Sequence, residues 1–70
     1  MGIVLAPSAH RYAAQMHDDA AEMHRRAAER FERLGRLDQA ERERQLAVNE
    51  HRAAIREWHN AVTAPPHGPR

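Results

Sequence analysis

Three of the six histidines share a spacing that could support metal binding or proton-linked chemistry. His10, His17 and His24 recur every seven residues, so on a helix they would lie on one face. Seven residues span about 10.5 Å of helix axis, which prevents any two of them from binding one ion within a single helix. Helical metal ligands are instead spaced three or four residues apart. A metal site built from these histidines therefore needs a second helix.

A chain that folds back at its centre is expected to bring His24 near His51 and His17 near His59. Dimerisation of such a hairpin would give a four-helix bundle, whose core can hold a metal through histidines and carboxylates. Two other interpretations remain open, namely that the histidines pack beside a helical seam, or that they form a pH-sensitive interface. The candidate metal ligands are His24, His51, Glu22 and Glu50.

Catalytic residues are scarce. The chain has no cysteine, and its three glycines form no glycine-rich phosphate loop. Its only side-chain hydroxyls belong to Ser8, Tyr12 and Thr63, of which Ser8 is expected to cap a helix and Thr63 to end one. We therefore expect a protein that is not an enzyme and that needs no cofactor.

The charges are nearly balanced. All eleven basic residues are arginine and ten residues are acidic, which gives a net charge of +1. The isoelectric point of 8.6 lies below the value of about 9 that is typical of a nucleic-acid-binding domain, so this composition disfavours nucleic acid as a partner. No apolar run approaches the roughly 18 residues of a membrane span, and the start lacks the features of a signal peptide. We expect a cytoplasmic protein that does not enter a membrane.

The elements that must position these residues are two helices. Residues 1–8 form an apolar leader and residues 64–70 form a proline-rich tail, whereas residues 9–63 contain strong helix formers and only one glycine, Gly35. Gly35 suits the end of a helix, and Asp38 with Glu41 has the spacing of a capping box. The sequence therefore predicts an all-α antiparallel hairpin with helices at about 9–34 and 39–63.

Alanines at seven-residue spacing predict where the two helices meet. Ala13, Ala20, Ala27 and Leu34 form such a series in the first helix, and a second series occupies the second helix at Ala40, Ala47, Ala54 and Ala61. Sevenfold apolar repeats are typical of coiled coils, and alanine permits two backbones to approach closely. The larger apolar residues form a stripe that is wider than this seam: Met16, Met23, Phe31, Val48, Ile55, Trp58 and Val62.

That stripe indicates an interaction surface. Alanine accounts for 14 of the hydrophobic positions, so the chain has little material for a core of its own, and chains of this length need additional stabilisation. Exposed apolar patches mark binding sites. We expect a protein-interaction module, serving as an accessory subunit, adaptor or regulator, whose bundle is completed by a partner protein or by homo-oligomerisation.

Residues 21–54 resemble a single tetratricopeptide-type repeat, a helix–turn–helix of 34 residues. Phe31 falls on the tyrosine position of that pattern, and Ala40 on the alanine that packs the two helices together. The chain departs from the pattern at His24, which replaces its tryptophan, and at Arg44, which replaces its phenylalanine. The resemblance implies a helical hairpin that binds another protein.

Overall fold

The structure of the protein is a computed structural model, and residues 7–63 are described. Helix α1 spans Pro7–Arg33 and helix α2 spans Leu37–Thr63. The two helices contact each other extensively as an antiparallel hairpin, as the sequence predicted. The expected leader, apart from Pro7 and Ser8, and the expected tail lie outside the described residues.

The turn between the helices is built around Gly35. Its φ of 73° places it in the left-handed region, which glycine adopts without a Cβ penalty. The amide of Arg36 donates to the carbonyl of Phe31 at 2.8 Å. The amide of Gly35 donates to the carbonyl of Glu32 at 3.0 Å. These two bonds form a Schellman motif, so Gly35 ends α1 as predicted.

Both helices begin two residues earlier than the sequence indicated. Pro7 occupies the first position of α1, where its missing amide hydrogen costs nothing, so Ser8 lies inside the first turn rather than at the cap. In α2 the carbonyl of Arg36 accepts from the amide of Ala40 at 3.0 Å, which makes Arg36 the cap. Asp38 instead lies in the first turn, where its carboxylate complements the helix dipole.

Within residues 7–63 the core consists of alanine alone. Seven of these residues are buried, with exposed fractions between 0 and 5%. The α2 members match the predicted seam, but those of α1 lie one position beyond it, while Ala13, Ala20 and Ala27 are half-buried and Leu34 is exposed. The buried residues are Ala14, Ala21, Ala28, Ala40, Ala47, Ala54 and Ala61.

Hydrogen bonding between the helices explains the shifted seam. Two alanine series of equal period occur side by side in α1, so periodicity alone does not choose between them. The observed choice places histidines along one edge of the seam, where carboxylates of α2 accept from them. It also turns Met16 and Met23 away from α2. Neither helix is long and apolar enough to cross a membrane.

Candidate protein-interaction site

A ladder of histidine–glutamate pairs runs along one side of the alanine seam. In each rung Nδ1 of the imidazole lies 2.6 Å from Oε2 of the carboxylate, and each step of seven residues forward on α1 is matched by seven residues back on α2. We call this side the histidine flank. Its rungs are His10–Glu57, His17–Glu50 and His24–Glu43.

This ladder separates the four candidate metal ligands. His24 pairs with Glu43 rather than lying beside His51, and Glu50 pairs with His17. The helices are paired in a different register from the one expected: His24 lies level with Glu43, which precedes His51 by eight residues, or about 12 Å along the axis of α2. The predicted proximity of His24 to His51 was therefore wrong.

The other two candidate ligands also have different neighbours. Nδ1 of His51 lies 3.4 Å from Oδ1 of Asp18, and Glu22 accepts from Arg25 and Arg26 at 3.0 and 3.2 Å. Across residues 7–63, no group of three or more histidine, aspartate or glutamate side chains is arranged to hold a metal ion. His17 pairs with Glu50, which precedes His59 by nine residues on α2, so the predicted proximity of His17 to His59 was also wrong.

The opposite side of the seam carries an apolar groove with a basic border, which we call the arginine groove. Its volume is about 500 Å³. Ala47, Val48 and Ile55 supply its apolar surface. The remaining lining residues are all basic: Arg25, Arg44, His51 and Arg52.

Ion pairs hold two of these arginines in place. Arg25 donates to Glu22, and this hydrogen bond is the main reason that the pKa of Glu22 lies below its ordinary value of 4.5. Arg44 donates to Glu41 at 3.2 Å and also bonds Glu32 across the seam, and both contacts raise its pKa. Arg52 makes no ion pair or side-chain hydrogen bond with any described residue, so its charge is available to a ligand.

The predicted apolar stripe is divided between the two sides of the hairpin. Val48, Ile55 and Val62 each follow a buried alanine by one position and lie along the arginine groove side, with exposed fractions of 42, 54 and 82%. Trp58 is 43% exposed and lies on the same side, because it is three residues from Ile55 and four from Val62.

The remaining members of the stripe lie elsewhere. Phe31 is half-buried and lines a smaller pocket of about 270 Å³ with Leu46 and Glu43, on the histidine flank. Met16 and Met23 are exposed on the outer surface of α1. The seven residues therefore lie on three separate surfaces, of which the one along α2 is continuous.

Sequence reasoning did not find the histidine ladder, although a signal was present. Glu43, Glu50 and Glu57 recur with the same seven-residue period as the histidines. An antiparallel pairing of two helices requires two series of equal period, one on each helix. Here one series is of histidines and the other of glutamates, which can bond to each other. Matching the histidine series of α1 to the glutamate series of α2 would have selected the correct register.

Comparison of the chain with models of protein families, with curated proteins and with solved structures gave no match. What the protein can do is therefore inferred from its own surfaces. The histidine flank joins the two helices to each other, because its imidazoles and carboxylates are paired. The arginine groove, in contrast, presents apolar side chains and a charge without a described partner, and it is the surface best suited to binding.

Proposed function

We propose that this chain is a small, non-catalytic protein-interaction module that acts as an accessory subunit, adaptor or regulator within a larger assembly. The observation that carries the proposal is the all-alanine core. Among residues 7–63, no side chain larger than alanine is fully buried. The bulky apolar residues of the sequence are thus left for a partner to cover.

The energetics of burial support this proposal. Burying a methyl group stabilises a fold by about 0.8 kcal/mol, whereas burying a complete valine, isoleucine or phenylalanine side chain contributes about 1.5–3 kcal/mol. The hairpin uses only the smaller contribution for its own core. Contact with a partner along Val48, Ile55 and Trp58 would add the larger free energy of burying complete apolar side chains. Association and stability of the helices are therefore expected to be coupled.

The register of the hairpin is also consistent with a binding scaffold. The ladder and the alanine seam together set which face of α2 is turned toward α1, so Val48, Ile55 and Trp58 lie on the arginine groove side. Two helices enclose no deep cleft, and we assign no catalytic residue.

The test is light scattering coupled to size exclusion, with far-UV circular dichroism of the same peak. Under this proposal the purified chain either forms a helical oligomer or is a monomer of low helicity and low thermal stability. A fully helical monomer that melts cooperatively at high temperature, at micromolar concentration, would contradict it. Such a monomer would need no partner to satisfy its apolar surface.

A further inference from the structure

The lining of the arginine groove indicates what kind of partner it accepts. Three apolar residues form its surface and four basic residues border it, and no carboxylate lines it within the part of the chain described. Arg25 and Arg44 are already paired with glutamates and His51 lies beside Asp18, whereas Arg52 has no ion-pair partner among the described residues. The ligand that complements this arrangement is apolar at its centre and carries a negative charge where it meets Arg52.

The spacing of the exposed apolar residues along α2 indicates the shape of that ligand. Val48, Ile55 and Val62 recur every seven residues, and His51 and Trp58 lie between them at alternating steps of three and four. This series spans about 21 Å of helix axis. It is the repeat by which a helix packs against another helix, with β-branched residues at every first position. A line of this length fits a helix of about four turns better than a compact ligand.

We propose that the arginine groove binds an amphipathic helix from a different protein, in which aspartate or glutamate residues border the apolar stripe. This inference rests on the proposed interaction function and adds the chemistry of the partner. The partner's apolar side chains contact Val48, Ile55 and Trp58, and its carboxylates contact Arg52 and the outer edges of Arg25 and Arg44.

Charge argues against a second copy of α2 as the occupant. A second α2 packed along Val48 and Ile55 would bring another Arg44 and Arg52 to a groove border that already carries these two arginines. Like charges that face each other across an interface cost affinity. A helix with acidic borders replaces that repulsion with attraction.

The experiment uses two synthetic helical peptides of about four turns with identical leucine stripes. One carries glutamate at the positions that border the stripe, and the other carries lysine there. Binding to the full chain is followed by the fluorescence of Trp58, the only tryptophan. We expect the glutamate peptide to bind at least about ten-fold more tightly at low ionic strength, and the difference to shrink as salt screens the charges.

Variants with matched controls assign the binding to the groove. Arg52→Glu should reduce or reverse the preference for the glutamate peptide, and Val48→Ser should weaken the binding of this peptide. The controls are Arg42→Glu and Leu46→Ser, which alter residues of the pocket on the histidine flank. Leu46 is 43% exposed and Val48 is 42% exposed, so the two serine variants remove similar apolar surfaces.

Three outcomes would overturn the inference. If both peptides bound equally well and Val48→Ser abolished this binding, the preference for an acidic partner would be refuted, whereas the proposed interaction function would stand. Self-association that depends on Val48 and excludes both peptides would identify a second copy as the occupant. Absence of peptide binding by a chain that is a stable helical monomer would refute both the inference and the proposed function.

Discussion

At the scale of single residues, Gly35 determines whether the chain can fold back. Its positive φ is one that side-chain-bearing residues rarely adopt, although a Cβ at this position would meet no atom within 4 Å. The penalty of substitution is therefore conformational strain rather than a clash, and it amounts to about 1–2 kcal/mol for an ordinary residue.

We predict that Gly35→Ala lowers the melting temperature while Gly35→Asn lowers it less, since asparagine tolerates the left-handed region better. A loss of about 1 kcal/mol corresponds to roughly 4–8 °C in a domain of this size. Thermal melts followed by circular dichroism, at one fixed chain concentration, provide the measurement. Equal melting of all three proteins would show that the turn does not limit stability.

Trp58 is the residue whose loss should affect association most. Tryptophans contribute disproportionately to interfaces, and truncating such a residue often costs about 2 kcal/mol or more of binding free energy. We predict that Trp58→Ala weakens association of the chain, with itself or with the acidic helical peptide, while the chains that remain associated stay helical. Light scattering and peptide titration measure the first effect, and circular dichroism measures the second.

Tyr12 offers the matched control for that variant. It is the other large exposed aromatic residue, at 69% exposure, and it lies on the outer surface of α1 away from the groove. Tyr12→Ala should leave association unchanged. If the two alanine variants behaved alike, the surface along α2 would not be the binding surface.

At the scale of the helices, the histidine ladder adds specificity to a seam that has little of its own. Alanines that repeat every seven residues would pack almost equally well after a slip of seven residues. All three histidine–glutamate rungs can form only in the observed register. Each rung is partly exposed, so its contribution is modest, on the order of 0.5–1 kcal/mol.

Exchanging the partners of the middle rung tests this role. His17→Glu places two carboxylates together and Glu50→His places two imidazoles together, so each single variant should lower stability. The double exchange restores a histidine–glutamate pair with reversed direction, and we predict that it recovers most of the loss. Chemical denaturation at pH 7 measures the coupling free energy. If the two losses simply added in the double variant, the rung would not act as a pair.

The helices show where sequence reasoning succeeds and where it fails. Strong helix formers and a single glycine were enough to predict the hairpin, its turn and the alanine seam of α2. The seam of α1 was assigned to Ala13 and Ala20 rather than Ala14 and Ala21, because two series with the same period are indistinguishable until the facing helix is considered. His24 was misplaced because the apolar pattern did not fix which residues of α1 and α2 lie level with each other, and the observed pairing sets His24 opposite Glu43, eight residues before His51.

At the scale of the whole molecule, the metal-binding bundle makes a distinct prediction. The four candidate ligands are engaged by other partners within the hairpin, so a bound metal would have to displace those contacts. We predict that the purified chain melts at the same temperature with and without a chelator. Elemental analysis of the same sample is the companion measurement. Stoichiometric metal together with a chelator-sensitive melt would instead favour the bundle.

The shared seven-residue period also makes the hairpin extendable. Inserting one matched heptad into each helix would add one alanine to each side of the seam and one histidine–glutamate rung, with every existing contact kept in register. Each such insertion would lengthen the molecule by about 10.5 Å. The length of the hairpin from Gly35 to the opposite end of the two helices is thus set by the number of seven-residue repeats in each helix.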